Sequence, residues 1–493
     1  MTAPIKIFYA SSEVAPFAKT GGLADVAGAL PKALKRLGCD IRVILPYYRC
    51  INKNGFKLNK ITTITTNQSM GHASAFDLYE YPEADVPTYF VEKSVYFDRD
   101  ELYGTAEGDY QDNAYRFGFF SKAVLAVIKA LEFKCDIIHS NDWQTALIPF
   151  YLKYKLGNDI FYNGVKTLYT IHNLAYQGQF TKDVMHDLDI PKRFFNLHDL
   201  EFYGKANFMK SGIIYSDAVS TVSKGYAKEI LTEEFGCGLE GLLKTKENKL
   251  FGITNGVDYS EWNPKIDPYI KERYDADSIE KKINCKKDLL SHLKMDFHHD
   301  RPLLGVITRL AKQKGIDLLA DIVKKLVESN AGIVLLGKGD EFYQNLFIKL
   351  KEHYPDRLSV NIKFDNELAH KIEAGCDMFL MPSRYEPCGL NQMYSLRYGT
   401  IPIVRATGGL DDVIIDFGED RESGNGFKFE AATSEAFYEA VERAFKVFLD
   451  KESWEELVKK VMQLDFSWDH SAKDYIALYE KIINSRRHNL RNI

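Results

Sequence analysis

Met381-Pro382-Ser383-Arg384-Tyr385-Glu386-Pro387-Cys388-Gly389-Leu390-Asn391-Gln392 joins a short run, Asp377-Met378-Phe379-Leu380, to a helical rhythm begun by Met393, Leu396 and Arg397. The first run reads as a buried strand and the last as a helix. A strand that passes into a helix through a polar loop leaves first-turn N–H groups without helical partners. Ligands of α/β proteins bind at such strand ends, and those donors suit an anionic or hydroxyl-rich ligand. Taken alone, Pro387 reads as a helix-start proline and Glu386 as a complement to the helix dipole. The rest of the chain decides between the two readings.

Outward from this stretch the alternation repeats. Short apolar, β-branched runs occur at Ile5–Tyr9, Ile41–Leu45, Asp136–His139, Lys166–Ile171 and Asp217–Val222, and again at Leu303–Ile307, Ile333–Leu336 and Ile401–Val404, with helix-like spacers between them. This pattern predicts parallel, doubly wound sheets. A chain of 493 residues also exceeds what one hydrophobic core serves. The expectation is two Rossmann-like α/β domains facing a cleft, with the boundary near Phe251-Gly252-Ile253-Thr254-Asn255-Gly256, giving domains of 1–252 and 253–470. In the remaining segment, 471–493, Tyr475, Leu478, Tyr479, Ile482 and Ile483 mark one face of a helix that must dock on an apolar surface. Phe117 to Phe133, interrupted by Lys122 and Lys129, reads as an amphipathic helix too short to span a membrane.

Composition narrows the function. A formal charge of -5 without a long basic run gives no support to nucleic-acid or membrane binding, so any anion site must be local. The 29 tyrosines and 31 phenylalanines suffice to line a site with flat rings. Seven scattered cysteines, none in a Cys-x-x-Cys pair, argue against a disulfide framework or structural zinc and for a reducing cytoplasm. The first strand begins almost at once, with no signal or transit pattern before it.

Several loops carry chemistry. Lys19-Thr20-Gly21-Gly22 follows the first strand, where adjacent glycines permit close backbone approach to a phosphate and Lys19 supplies a point charge. Arg309 and Lys314 flank another strand-to-helix loop, a pairing that fits a pyrophosphate, and Gly408-Gly409 forms a further close-approach loop. Other signals are discounted. Gly332 to Lys338 has a P-loop spacing, but Gly339 stands where Ser or Thr would hold magnesium. Gly337-Lys338-Gly339 is followed by Phe342 in place of the third dinucleotide glycine. Asp98-Arg99-Asp100, Asp187-Leu188-Asp189 and Asp275-Ala276-Asp277 are chance-level acid pairs, and His298-His299 would point apart on a helix. No metal and no cofactor is expected.

Lys19-Thr20-Gly21-Gly22-Leu23, His139-Ser140-Asn141-Asp142-Trp143, Thr170-Ile171-His172-Asn173, Asn255-Gly256-Val257-Asp258, Thr308-Arg309 with Lys314-Gly315, Arg384 to Leu390 and Thr407-Gly408-Gly409-Leu410, taken in this order, closely resemble the bacterial glycogen synthase and plant starch synthase family. The resemblance extends over nearly the whole chain. It implies the GT-B fold, a starch-synthase-type acceptor domain followed by a nucleotide-sugar-binding domain, an interdomain active site, and a terminal helix that crosses back to the first domain. It also implies retaining transfer of glucose from ADP-glucose to the non-reducing end of an α-1,4-glucan such as glycogen, with ADP released. By matching motif, Lys19, Gly21 and Gly22 would approach the donor phosphates from the first domain, and Arg309 and Lys314 would hold them from the second. Glu386 would bind glucose hydroxyls with the amides around Cys388, Gly389 and Leu390. His172 would lie near sugar and acceptor, Asp142 on the acceptor side, and Asn255 near the sugar. Phe364 occupies a position where the family carries an aromatic that stacks on adenine, and Tyr394 stands where broader relatives of the fold carry a second glutamate. The alternatives are another retaining GT-B transferase with a different nucleotide-sugar donor, or an inactive glucan-binding scaffold. Oligomeric state is left open.

Overall fold

In the first sheet, β1 (Lys6–Ala10), β2 (Asp40–Pro46), β3 (Asn59–Asn67), β4 (Ala73–Glu80), β5 (Thr88–Glu92), β6 (Ile137–Asn141), β7 (Lys166–Ile171), β8 (Ala218–Thr221) and β9 (Leu250–Gly252) pair in the order β9-β8-β7-β6-β1-β2-β5-β4-β3. Strands β9 through β5 run parallel, and β4 and β3 add an antiparallel edge. The computed structural model describes residues 3–67, 73–105 and 107–489. The chain winds outward from β1 through β2 to β5, then restarts on the other side at β6. The switch point therefore lies between β1 and β6, the position at which doubly wound sheets open a crevice beyond their strand carboxyl ends.

The second sheet repeats the device. Its strands are β10 (Leu303–Ile307), β11 (Gly332–Leu336), β12 (Leu358–Asn361), β13 (Met378–Met381), β14 (Ile401–Arg405) and β15 (Phe427–Phe429), in the order β12-β11-β10-β13-β14-β15. All are parallel. Its switch point falls between β10 and β13, which places the loops Thr308–Gly315 and Pro382–Leu390 side by side. Strands buried on both faces require continuous apolar runs, and β10, β11 and β13 have them.

The chain divides into two units, Met1–Val222 with Ala227–Gly256 and Trp468–Ile493, and Ser223–Tyr226 with Val257–Ser467. Ser223–Tyr226 counts with the second unit, where the Ser223 hydroxyl donates to the Pro387 carbonyl at 2.6 Å and the Gly225 N–H to Asp412 at 2.7 Å. A serine before a short helix, Lys224–Glu229, and a glycine within it give no sequence signal for this.

Two helices of the first unit bear on the expectations. α1 (Gly22–Arg36) follows the loop after β1 and buries Leu23, Val26, Ala27, Leu30 and Leu34. α2 (Asn113–Ala130) replaces the expected amphipathic helix and is buried around most of its circumference, including Phe117, Phe119, Phe120, Val124 and Ile128. The lysine that suggested a wet face, Lys122, is half-buried and paired with Asp189 at 2.8 Å, and Gly118 admits Leu188 so closely that a Cβ there would lie 2.4 Å from its Cδ2. No helix among the described residues is long and apolar enough to cross a membrane.

In the second unit, α3 (Ile316–Glu328) follows β10, α4 (Asn366–Gly375) follows β12, α5 (Asn391–Tyr398) follows β13 and α6 (Gly408–Val413) follows β14. The final helix, α7 (Trp468–Asn489), belongs to the first unit and packs on α1, with Tyr475, Leu478, Tyr479 and Ile482 buried; residues 490–493 lie outside the described residues. Tyr479 Oη lies 2.8 Å from His139 Nδ1, and His139 Nε2 lies 2.6 Å from Thr170 Oγ1. Desolvation holds the His139 imidazole well below its ordinary range, so it is a neutral core residue that ties α7 to β6. Tyr479→Phe leaves a buried ring nitrogen without its partner and should lower stability by about 1–3 kcal/mol in urea denaturation of the whole chain. An unchanged midpoint and slope would show that this contact contributes nothing.

Candidate active site

At the second switch point a lysine and a glutamate meet. Lys314 Nζ lies 2.5 Å from Glu386 Oε2, and the Ser383 hydroxyl donates to the same oxygen at 3.1 Å. Glu386 is only 6% exposed, so its charge needs these partners. Gln313 ties the same two loops together. Its Oε1 accepts from Arg309 at 3.0 Å, its Nε2 donates to the Tyr385 carbonyl at 3.4 Å, and its own carbonyl accepts from the Arg384 N–H at 2.7 Å. Arg309 itself is exposed.

Close backbone approach fixes this geometry. Gly315 sits at φ +64, and a Cβ there would lie 1.9 Å from the Pro382 carbonyl oxygen, so only glycine lets the loops touch. Gly409 lies equally close to the Cys388 backbone, where a Cβ would come within 2.3 Å of the Cys388 oxygen, and its N–H donates to the Glu386 carbonyl at 3.1 Å. Gly408-Gly409 therefore backs the Glu386 loop. Gln392 Nε2 donates to the Cys388 and Gly389 carbonyls at 2.9 and 3.0 Å, which holds the peptides preceding α5. The N–H groups of Gly389, Leu390 and Asn391 meet no acceptor among the described residues. A cation, a carboxylate and helix-start donors thus gather at one strand end. Phe364, 85% exposed on the loop between β12 and α4, lies on the same carboxyl side of the sheet.

The first unit places its residues by the same rule. After β1, Glu13 is 4% exposed and organises the loop: its carboxylate accepts from the Thr20 N–H at 2.5 Å, the Gly21 N–H at 3.2 Å, and the Thr20 and Tyr103 hydroxyls, each at 2.7 Å. The Gly21 amide is therefore already engaged by Glu13. A buried carboxylate outcompetes solvent for the nearest N–H groups. The Gly22 and Leu23 amides, in the first turn of α1, have no acceptor among the described residues. Gly21 itself faces open space, with nothing within 4 Å of a Cβ built there. Lys19 is half-exposed and 2.6 Å from Asp25.

After β6 and β7, Asp142 and His172 come together. Asp142 Oδ1 accepts from the His172 N–H at 2.7 Å, and His172 Nε2 lies 2.9 Å from Asn141 Oδ1. Because Asn141 Nδ2 donates to the Ala10 carbonyl at 3.0 Å, its oxygen must be the acceptor, which puts the His172 proton on Nε2 and leaves Nδ1 as the ring's acceptor. Burial pushes the His172 imidazole down to about 3. Burial likewise pushes the Asp142 carboxyl up to about 7, against the pull of the His172 and Asn173 N–H groups. Asp142 sits at φ +52, an uncommon conformation for a residue other than glycine. Asn255 follows β9, is 6% exposed, and its Oδ1 is buried without a partner among the described residues.

Every residue expected at the site thus lies beyond the carboxyl end of a parallel strand of its own unit. Sequence reading missed Glu13, Asn141, Ser383 and Gln313, which position the others. The discounted glycines prove structural: a Cβ at Gly337 or Gly339 would strike the Thr308 or Leu310 carbonyl at 1.8 or 2.3 Å. Tyr394 is a core ring stacked on Trp262 at 4.1 Å. Asp98 and Asp100 pair with Arg49. His298 and His299 do not diverge on a helix, because the chain there is irregular; their rings stack at 4.9 Å, and with Asp300 their ligating atoms lie within 4.8 Å of one another. This exposed group precedes β10, at the amino end of the strand whose carboxyl end leads to Arg309.

Residues 6–245 match the starch synthase catalytic domain, and residues 292–464 match glycosyl transferases group 1. The chain is 45% identical over 480 residues to the glycogen synthase of Geotalea daltonii, covering 97% of this chain and 99% of that one. It is also 45% identical to the glycogen synthase of Thermotoga maritima, with 97% and 99% covered. Among solved structures, the catalytic domain of starch synthase IV from Arabidopsis thaliana, bound to ADP and acarbose, matches with a TM-score of 0.91 at 34% identity over 98% of this chain and 100% of that one.

The Asp142 value carries a pH signature. A carboxyl whose folded pKa is raised binds its proton more tightly when native, so its contribution is complete below the unfolded value near 4 and is lost as pH rises through about 7. Asp142→Asn removes that dependence while keeping an acceptor for the His172 N–H. Relative to wild type, the variant should gain stability by on the order of a few kcal/mol between pH 4.5 and pH 8 in denaturant titrations. A difference independent of pH would refute the assignment.

Proposed function

The chain belongs to the family of bacterial glycogen synthases and plant starch synthases, glycosyltransferases of the GT-B fold, and we propose that it transfers glucose from ADP-glucose to the non-reducing end of an α-1,4-glucan, with retention of configuration and release of ADP. The observation that carries this reading is the Lys314–Glu386 contact beside the unengaged amides of Gly389, Leu390 and Asn391.

In this reading Arg309 and Lys314 bind the donor pyrophosphate, joined by Lys19 and the amides after Gly21 from the first unit. Negative charge grows on the ADP phosphates as the glycosidic bond breaks, and cations with preorganised N–H donors stabilise it. Glu386 accepts from glucose hydroxyls, and the amides from Cys388 to Leu390 contact the sugar from the helix start. The exposed Phe364 ring offers a flat face on which the adenine stacks. Gly408 and Gly409 act by letting the Glu386 loop sit where it does. On the first unit, His172 is neutral and offers Nδ1 to a sugar hydroxyl, Asn255 offers its unpartnered Oδ1, and Asp142 serves the acceptor side. The acceptor hydroxyl oxygen bonds to the anomeric carbon from the face that ADP leaves, its proton passing to the departing phosphate oxygen, which needs no second carboxylate as nucleophile. The first unit, to which Ala227–Gly256 and the final helix belong, is the acceptor-side domain, and the second is the nucleotide-sugar domain. A cytoplasmic setting is consistent with seven cysteines that form no disulfide.

Incubation with glycogen and labelled ADP-glucose, with unlabelled UDP-glucose as competitor, tests donor and acceptor together. Label entering polymer, with ADP released, is expected; preference for UDP-glucose would move the chain to another donor class. Glu386→Ala should lower turnover about a hundredfold, roughly 3 kcal/mol, with far less change in ADP affinity. A destabilised variant of normal turnover would reduce Glu386 to a structural role. With Lys19, Arg309 and Lys314 as the cationic charge, transfer should persist in excess chelator, and activity lost there but restored by magnesium would overturn that account.

A further inference from the structure

The first unit holds a second concavity built from residues that the proposed reaction does not use. It is a cavity of about 760 Å³ lined by, among others, Leu197, Glu201, Phe202, Tyr203, Lys210 and Gly241, a size in the ~300–1,000 Å³ range of small-ligand sites. Glu201-Phe202 and Lys205-Ala206 pair as a hairpin whose two-residue turn is Tyr203-Gly204, at φ +48 and φ +79. Both central residues are left-handed, as a type I′ turn demands, and Asn or Gly is the unstrained choice for the first. A tyrosine there is strained. Its ring is 82% exposed, so the strain is not offset by burial. Phe202 meets that ring edge-on at 4.7 Å, and Gly238 leaves room for it, since a Cβ there would come within 2.9 Å of Phe202.

Polar groups complete the lining. Lys210 is 6% exposed, and its ammonium donates to the Leu197 and Glu201 carbonyls at 2.7 and 2.6 Å, two of the three bonds it can make. Glu201 Oε1 accepts from the Gly204 N–H at 2.8 Å, while its Oε2 is buried with no partner among the described residues. An unpartnered buried carboxylate oxygen asks for a donor. An anionic ligand would meet that oxygen unfavourably, and an apolar peptide would leave it unsatisfied. A neutral, hydroxyl-rich ring with one apolar face suits the aromatic ring, the ammonium and the carboxylate together.

We propose that this cavity docks a stretch of the α-glucan other than the end being extended, with a sugar face on Tyr203 and hydroxyls on Glu201 and Lys210. The assignment rests on the acceptor class proposed above. Two variants test it in the full chain. Tyr203→Asn keeps the left-handed turn and removes the ring; Gly241→Phe fills the cavity from a position where a Cβ meets nothing within 4 Å. In native gels containing glycogen, both should bind the polymer roughly tenfold more weakly than wild type, the scale of losing one anchoring aromatic. KM for glycogen should rise by a similar factor, while kcat, ADP affinity and KM for maltotriose stay unchanged and Tyr203→Asn loses no thermal stability. Wild-type retardation in both variants, or an equal rise of KM for glycogen and maltotriose, overturns the proposal. A wild-type protein that is retarded by glycogen through Tyr203 yet transfers no glucose would refute the reaction and leave the docking site standing.

Discussion

A carboxylate taken out of water must be met by donors, and two such groups hold this protein's reactive loops in place. Glu386 is met by Lys314 and Ser383, and Glu13 by two backbone amides and two hydroxyls. Each sits at the switch point of its own sheet. The cost of leaving either charge unpaired is several kcal/mol, large against the stability of a domain. Loops that elsewhere would wander are therefore fixed by electrostatics as well as by packing. In the second unit the requirement propagates: Lys314 must reach Glu386, so Gly315 must turn left-handed beside the Pro382 carbonyl, and Gln313 is carried to where it holds Arg309. The positions of both cations follow from one buried acid.

The same contrast separates what the sequence discloses from what it hides. Strands β1, β2, β6, β7, β8, β10, β11, β13 and β14 are readable because parallel strands buried on both faces need continuous apolar runs. The edge pair β3 and β4 is not, since residues 59–65 are largely exposed and the strand carries threonines in place of a clean alternation. Strands β9, β12 and β15 are three or four residues long, too short to show a period. At the site, Lys19, Arg309, Lys314 and Glu386 are conspicuous as charges beside glycines. Glu13 is not, because its partners lie 7 residues and 90 residues away and only folding brings them together. The burial of α2 was hidden in the same way, by a lysine whose counter-ion is 67 residues distant.

The electrostatics of the two units differ in a way that bears on mechanism. In the first, the side chains assigned to sugar and acceptor are close to neutral: His172 is held as free imidazole, and Asp142 is poised near neutrality by burial. Burial holds this imidazole far below its ordinary range, so at pH 7 it is neutral and carries no second ring proton to give as an imidazolium acid. What it can do is accept a hydrogen bond at a fixed angle, because Asn141 and Asp142 hold both its ring and its backbone. In the second unit the loops after β10 and β13 carry Arg309 and Lys314 together with amides that meet no acceptor among the described residues. This division suits a reaction whose difficulty lies in the leaving phosphate more than in moving a proton to it. Charge is concentrated on the phosphate side, and on the sugar side His172, held well below its ordinary range, stays a neutral acceptor near pH 7.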